Sequence, residues 1–188
     1  MRLPGLAAIT QRHSAESALV GRAQRGDTDA FEALLRQHKD SVLNVARRMV
    51  GDRDAAEDIA QETFVKAFRH LQRFRGDSTF ATWLYRITVN EARQYLRGQQ
   101  RQIARWERQR DLAAAGPAEA SEEEQAPLTE LLQALSADQR EALALFYLNE
   151  LSIEEIASTL GAPVGTIKAR LSRGRERLRQ LAQERGLA

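Results

Sequence analysis

The chain is 188 residues long, 43% hydrophobic and 29% charged, which suits one large or two small globular domains and excludes wholesale disorder. It has no cysteine, so disulfides, thiolate-held zinc, iron–sulfur clusters and thiol catalysis are excluded. Net charge is only +2, but the charges are unevenly placed, and the imbalance points to a polyanion partner.

Residues 1–16 read as a loose tail. They lack an apolar core followed by a small-residue cleavage site, so no signal peptide is expected. No apolar run approaches the about 20 residues of a membrane helix, so the expected protein is soluble, cytoplasmic and not inserted in a membrane. A short helix is expected from Ala15 to Arg25, ending at Gly26, after which Asp27 and Thr28 offer N-caps. Phe31, Leu34, Leu35, His38, Val42, Val45, Ala46 and Met49 then recur at helical spacing up to Gly51. Asp52 or Asp54 caps a further helix with the stripe Ala56, Ile59, Ala60, Phe64, Ala67, Phe68 and Leu71.

A break follows from Arg73 to Ser78, with Ser78 the expected N-cap of a long helix whose inner stripe is Phe80, Leu84, Ile87 and Tyr95. No period-two pattern occurs, so the first half reads as a helical bundle. Residues 99–127 change character: Arg101, Arg105, Arg108 and Arg110 suggest a fraying helical extension, and the acidic run Glu122 to Glu124 a flexible linker. The second half carries two capping boxes, Ser136 with Gln139 and Ser152 with Glu155. Gly161 fits an αL cap, and the last helix has the apolar face Val164, Ile167, Leu171, Leu178 and Leu181. The expected fold is all-α: two small helical domains, 17–98 and 128–188, joined by the linker.

The strongest functional pattern is a capped short helix, a Gly-Ala-Pro turn and a basic helix, the layout of a helix-turn-helix. From Thr166 to Arg179 the chain has Lys168, Arg170, Arg173, Arg175, Arg177 and Arg179 against one acid, Glu176. A helix entering the major groove needs cations for the flanking phosphates and long donors for base edges, and Lys168, Arg170 and Arg173 are placed for that. A solvated hairpin with a charged face is the plainer alternative, which the scarcity of acids disfavours. The segment Leu128 to Glu155 is the reverse, acidic with Arg140 as its one base.

Trp83, Arg86, Asn90, Arg93 and Arg97 share one face of the long helix. An aromatic among cations suits stacking on unpaired bases while the backbone is held, but a core Trp83 with ordinary surface arginines fits the same spacing. Asp58, Gln61 and Glu62 cluster on the polar face of their helix, extended by Lys66, and suit either a basic protein partner or plain solvation. His13, His38 and His70 have neither metal-ligand spacing nor a nucleophile, and His38 reads as a core residue. No enzyme activity, metal or cofactor is expected.

The segments Asp58 to Phe68 (DIAQETFVKAF) and Phe74 to Asn90 (FRGDSTFATWLYRITVN) resemble region 2 of bacterial extracytoplasmic-function sigma factors, and Leu151 to Leu171 (LSIEEIASTLGAPVGTIKARL) resembles their region 4. The likeness is strongest to the envelope-stress sigma-E group. The resemblance implies that Asp58, Gln61 and Glu62 bind the β′ clamp helices of core RNA polymerase. It implies that Phe74, Trp83, Tyr85, Arg86, Asn90 and Arg93 engage and help open the −10 element. It places Thr166, Lys168, Arg170 and Arg173 on the −35 element, with the second domain docked on the β flap. It also implies restraint by an anti-sigma factor and a role in a stress regulon. Ala169, where Ser is common, and Gly174, where Ala is common, depart from the pattern. The rival reading is a helix-turn-helix regulator that binds DNA alone, its first half a sensor or dimerisation module.

Overall fold

The computed structural model describes residues 15–110, 131–149 and 151–185. Residues 1–14 of the expected tail, the acidic run Glu122 to Glu124 and most of the linker lie outside them, whereas Ala15 and Glu16, placed in the tail, begin the first helix. Among the described residues the secondary structure is helical, with no strand. Besides a helical stretch at 131–133, the described helices are α1 (15–24), α2 (Thr28–Val50), α3 (Arg53–His70), α4 (Phe80–Arg110), α5 (Ala137–Leu148), α6 (Ile153–Leu160) and α7 (Val164–Glu184). A 3-10 turn spans Leu71–Arg73.

The caps follow local chemistry. The Asp27 carboxylate accepts from the Ala30 N–H at 3.0 Å, and with Arg22 alongside this holds the carboxyl below its ordinary pKa. α2 ends at Gly51, whose φ of 81° suits a residue without Cβ. Asp52, not Asp54, caps α3 by accepting from Ala55 N–H at 2.7 Å. At the head of α4 the cap is Thr79 rather than Ser78: Thr79 Oγ1 accepts from Thr82 N–H at 3.1 Å, while the Ser78 hydroxyl donates to the Thr79 carbonyl. Both capping boxes form, and Gly161 closes α6 with φ 63°.

α2, α3 and α4 pack on one another. Leu34, Val42, Val45, Met49, Ala56, Leu84 and Val89 are buried between them. The α4 stripe is wider than expected: Tyr85, Thr88, Val89 and Ala92 are buried beside Phe80 and Leu84, whereas Ile87 and Tyr95 are only half-buried. The second half of the chain adds further cover. α5 packs on α2 and α7, and α6 packs on α4 and α7, so α4 is covered on two sides. The helix-turn-helix core is Leu143, Leu145, Ile156, Ile167 and Leu171.

The two halves are tied by polar hooks as well. Arg140, with 9% exposure, donates to the carbonyls of Met49, Gln133 and Leu135, and Gln133 donates to the Arg48 carbonyl at 3.3 Å. Met49 and Arg48 are in the last turn of α2, whose carbonyls lack helical partners, so side chains of the second half complete the end of a first-half helix. Burial pushes the Arg140 guanidinium below its ordinary pKa, partly countered by Glu141.

Candidate protein and nucleic-acid interfaces

Asp58, Gln61 and Glu62 are all exposed on α3. Beside them, between α2 and α3, lies an open groove of about 670 Å³ with an apolar floor of Phe31, Leu35, Leu43, Ala60, Phe64 and Phe68. Gln61 and Glu57 stand on its rim with Lys39 and Arg69. Phe68 is 55% exposed, although its spacing placed it in the core stripe, and it meets Phe31 edge-on at 5.0 Å. The sequence signal for this groove is an apolar stripe on α3, Phe64, Val65 and Phe68, wider than the bundle can cover. Lys66 bridges from this face to α4, reaching Glu91 at 2.5 Å and Glu62 at 3.5 Å, and the Glu91 carboxylate raises its pKa.

A second site forms where α1 faces the 74–79 loop. A pocket of about 420 Å³ is lined by Glu16, Gln24, Phe74, Arg75, Thr79 and Phe80, among others. Gln24 pins the loop by donating to the carbonyls of Leu71 at 2.9 Å and Phe74 at 2.8 Å. His38 sits half-buried, its Nε2 2.6 Å from a Glu16 carboxylate oxygen and its ring 5.5 Å from Phe80. Phe74, Phe80 and Trp83 form an aromatic cluster, with Trp83 5.2 Å from Phe74 and 5.6 Å from Phe80. Trp83 is half-buried in it, so one ring serves both packing and the surface. The pinning role of Gln24 had no sequence signal, because it depends on a loop about 50 residues away.

The α4 face is only partly open. Asn90 and Arg97 are exposed. Arg86 donates to the Ser158 carbonyl at 2.9 Å and hydroxyl at 2.8 Å. Arg93 makes a two-pronged contact with Glu141, at 2.8 and 2.6 Å, which raises the guanidinium pKa. Tyr85 does not share this face. It is buried at 4% exposure on the inner side of α4, and that burial raises its phenol pKa.

On α7, Lys168 and Arg173 are exposed and Thr166 is half-buried. Arg170 is held back by Asp138 of α5 at 2.5 Å. Gly174 lies buried against α5.

Residues 34–102 match Sigma-70 region 2 and residues 125–178 match Sigma-70, region 4. The chain is 36% identical over 187 residues to the RNA polymerase sigma-H factor of Pseudomonas aeruginosa, covering 89% of this chain and 94% of that one. It is 38% identical over 174 residues to the ECF RNA polymerase sigma-E factor of Escherichia coli K12, covering 86% and 91%. Among solved structures, CnrH in complex with the cytosolic domain of CnrY aligns with a TM-score of 0.70 at 26% identity, over 90% of this chain and 98% of that one. The sigma factor RpoE with the anti-sigma factor NepR from Bartonella quintana aligns at 0.64 and 31%, over 81% and 96%. The chain belongs to the sigma-70 family, in its extracytoplasmic-function branch. It is a sigma factor, which binds core RNA polymerase and directs promoter-specific initiation.

Proposed function

We propose that the division of labour within this sigma factor follows its surfaces. Asp58, Gln61 and Glu62, with the apolar groove beside them, bind the β′ clamp helices. The 74–79 loop, Trp83 and the Arg86, Asn90, Arg93 strip engage the −10 element. Thr166, Lys168 and Arg173 meet the −35 element, with Arg170 at its edge. Residues 17–98 and 128–188 are the working domains, acting in the cytoplasm in a stress response, without catalysis and under an anti-sigma factor.

One observation carries the reading. The same small bundle has an open apolar groove edged by exposed polar groups on α2 and α3, and a cationic strip beside an aromatic pocket on α4. A regulator that binds DNA alone needs the second surface and not the first. Transcription in vitro with purified core polymerase tests it. Start sites that depend on the chain support the reading, and DNA binding without recruitment of core enzyme overturns it.

A further inference from the structure

Gln24, the last residue of α1, holds the 74–79 loop from outside it. Its side-chain nitrogen donates to the Leu71 carbonyl at 2.9 Å and to the Phe74 carbonyl at 2.8 Å, which uses both amide hydrogens. Its own backbone carbonyl accepts in return from the Gln72 side chain. The helix end orphans the carbonyls of this turn. Those of Arg22 and Ala23 are met by N–H groups at 25–27, and that of Gln24 by Gln72. α1 is itself fixed on the bundle: Val20 and Ala23 are buried, and Glu16 meets His38 of α2 at 2.6 Å.

Backbone bonds hold the loop at its two ends, Phe74 N–H to the Leu71 carbonyl and Trp83 N–H to the Thr79 carbonyl. Between them Arg75, Gly76 and Asp77 are exposed, and Gly76 turns at φ 79°. Gln24 fixes the Phe74 carbonyl, and with it the direction of the Phe74 ring, 5.2 Å from Trp83 and 5.9 Å from Phe80.

We infer that Gln24 is a positioning residue for promoter opening: it sets the shape of the loop that takes the −10 element, and acts on DNA through that loop. The inference rests on the reading of the 74–79 loop as a −10 surface.

A loop released from Gln24 trades two carbonyl bonds for water at small cost and gains conformers. Only the pinned shape presents Phe74, Trp83 and the pocket wall together. Apparent affinity for an unpaired base scales with the fraction of loops in that shape, so a fraction about tenfold smaller weakens capture about tenfold. A loop spread over several shapes also discriminates less between bases. Core binding and the −35 contact use other surfaces and keep their strength.

The test uses holoenzyme reconstituted with the full chain, on a promoter located by mapping its start sites. Gln24→Met keeps the length and removes both donors, Gln24→Lys returns donors for the two carbonyls, and Phe74→Ala strikes the loop directly. Gln24→Met is expected to bind core enzyme and form closed complexes as the parent does. Its ratio of open to closed complexes, read by permanganate, should fall about tenfold. Its preference among single-base changes in the −10 element should flatten, while that at the −35 element stays. Gln24→Lys should recover part of both losses. Initiation lowered alike on every promoter variant, with the −10 preference intact, is a loss of stability and overturns the inference. Parent-like opening and −10 preference in Gln24→Met, with Phe74→Ala impaired, overturns the positioning role alone. Parent-like behaviour of both variants overturns the loop reading and this inference with it. A lysine no better than methionine overturns the role of the donors. Should Gln24→Met fail to bind core enzyme, Gln24→Asn decides, its amide one methylene short of the two carbonyls: a parent-like −10 preference overturns the inference.

Discussion

A Cβ built on Gly174 lies 2.8 Å from Leu143 Cδ1 and 3.3 Å from its Cγ. The glycine that departs from the family pattern therefore lies in tight contact with α5. A mid-helix glycine costs about 1 kcal/mol relative to alanine, and here the close approach offsets it. Gly174→Val is expected to destabilise the second domain by about 1–3 kcal/mol through overpacking. Gly174→Ala is expected to cost less, since propensity returns part of the loss. Urea denaturation of the two variants checks the order, and a Gly174→Val midpoint at or above the parent's contradicts it.

Arg140 is the second position where packing explains an odd residue. It is the lone base of an acidic segment, and it is buried on the Met49 carbonyl of α2. Arg140→Met is expected to strand that carbonyl, at about 1–3 kcal/mol. Lysine should restore only part, because a single ammonium cannot reach the several carbonyls that the fork spans. Denaturation midpoints in the order parent, Arg140→Lys, Arg140→Met are the expected result.

Much of the fold was legible because its signals are local. The capping pairs Ser136/Gln139 and Ser152/Glu155, the αL glycines Gly51 and Gly161, and the apolar spacing of α2 each depend on a few adjacent residues. What depended on distant partners was not legible. Tyr85 falls among DNA-facing residues by resemblance, yet it is buried on the inner side of α4, where its hydroxyl meets Ser41 of α2 and Asn149. Glu141 and Ser158 gave no signal, because their meaning lies in arginines 48 and 72 residues away. Phe68 follows the core period but outruns the bundle's width, and so becomes groove floor.

The groove leads to a prediction about polymerase. Asp58→Ala and Gln61→Ala are expected to weaken core binding while leaving the denaturation midpoint within about 0.5 kcal/mol of the parent, as exposed substitutions do. Phe68→Asp is expected to weaken it more, by placing a charge on an apolar docking floor. Equal affinity of all three variants and the parent for core enzyme would defeat the assignment.

On α7 the two arginines are expected to behave differently. Arg173 is exposed and free to reach a base edge, so Arg173→Ala should cost about 1–3 kcal/mol and relax specificity at one upstream position. Arg170 is tied to Asp138, so Arg170→Ala should also lower stability, and Asp138→Asn should free Arg170 for DNA. A uniform loss of binding across sequences for Arg173→Ala would assign it to phosphate instead.

The packing of Trp83 and its proposed stacking on DNA can be separated by substitution. Its ring packs on Phe74 and Phe80, so Trp83→Ala removes part of the aromatic cluster and is expected to destabilise the first domain. Trp83→Phe keeps most of that packing but offers a smaller stacking face beside the pocket lined by Phe74, Arg75 and Thr79. Stacking of an unpaired base on an aromatic ring is worth about 1–3 kcal/mol, enough to bias opening at an AT-rich step. In holoenzyme, Trp83→Phe is therefore expected to form closed promoter complexes normally and to open them less completely. Permanganate reactivity of unpaired thymines should fall relative to the parent, and a pre-melted bubble template should restore transcription. Normal permanganate reactivity in Trp83→Phe, together with a lowered denaturation midpoint in Trp83→Ala, would reduce Trp83 to a packing residue. A bubble that fails to rescue would place the defect after melting, which the stacking argument does not allow.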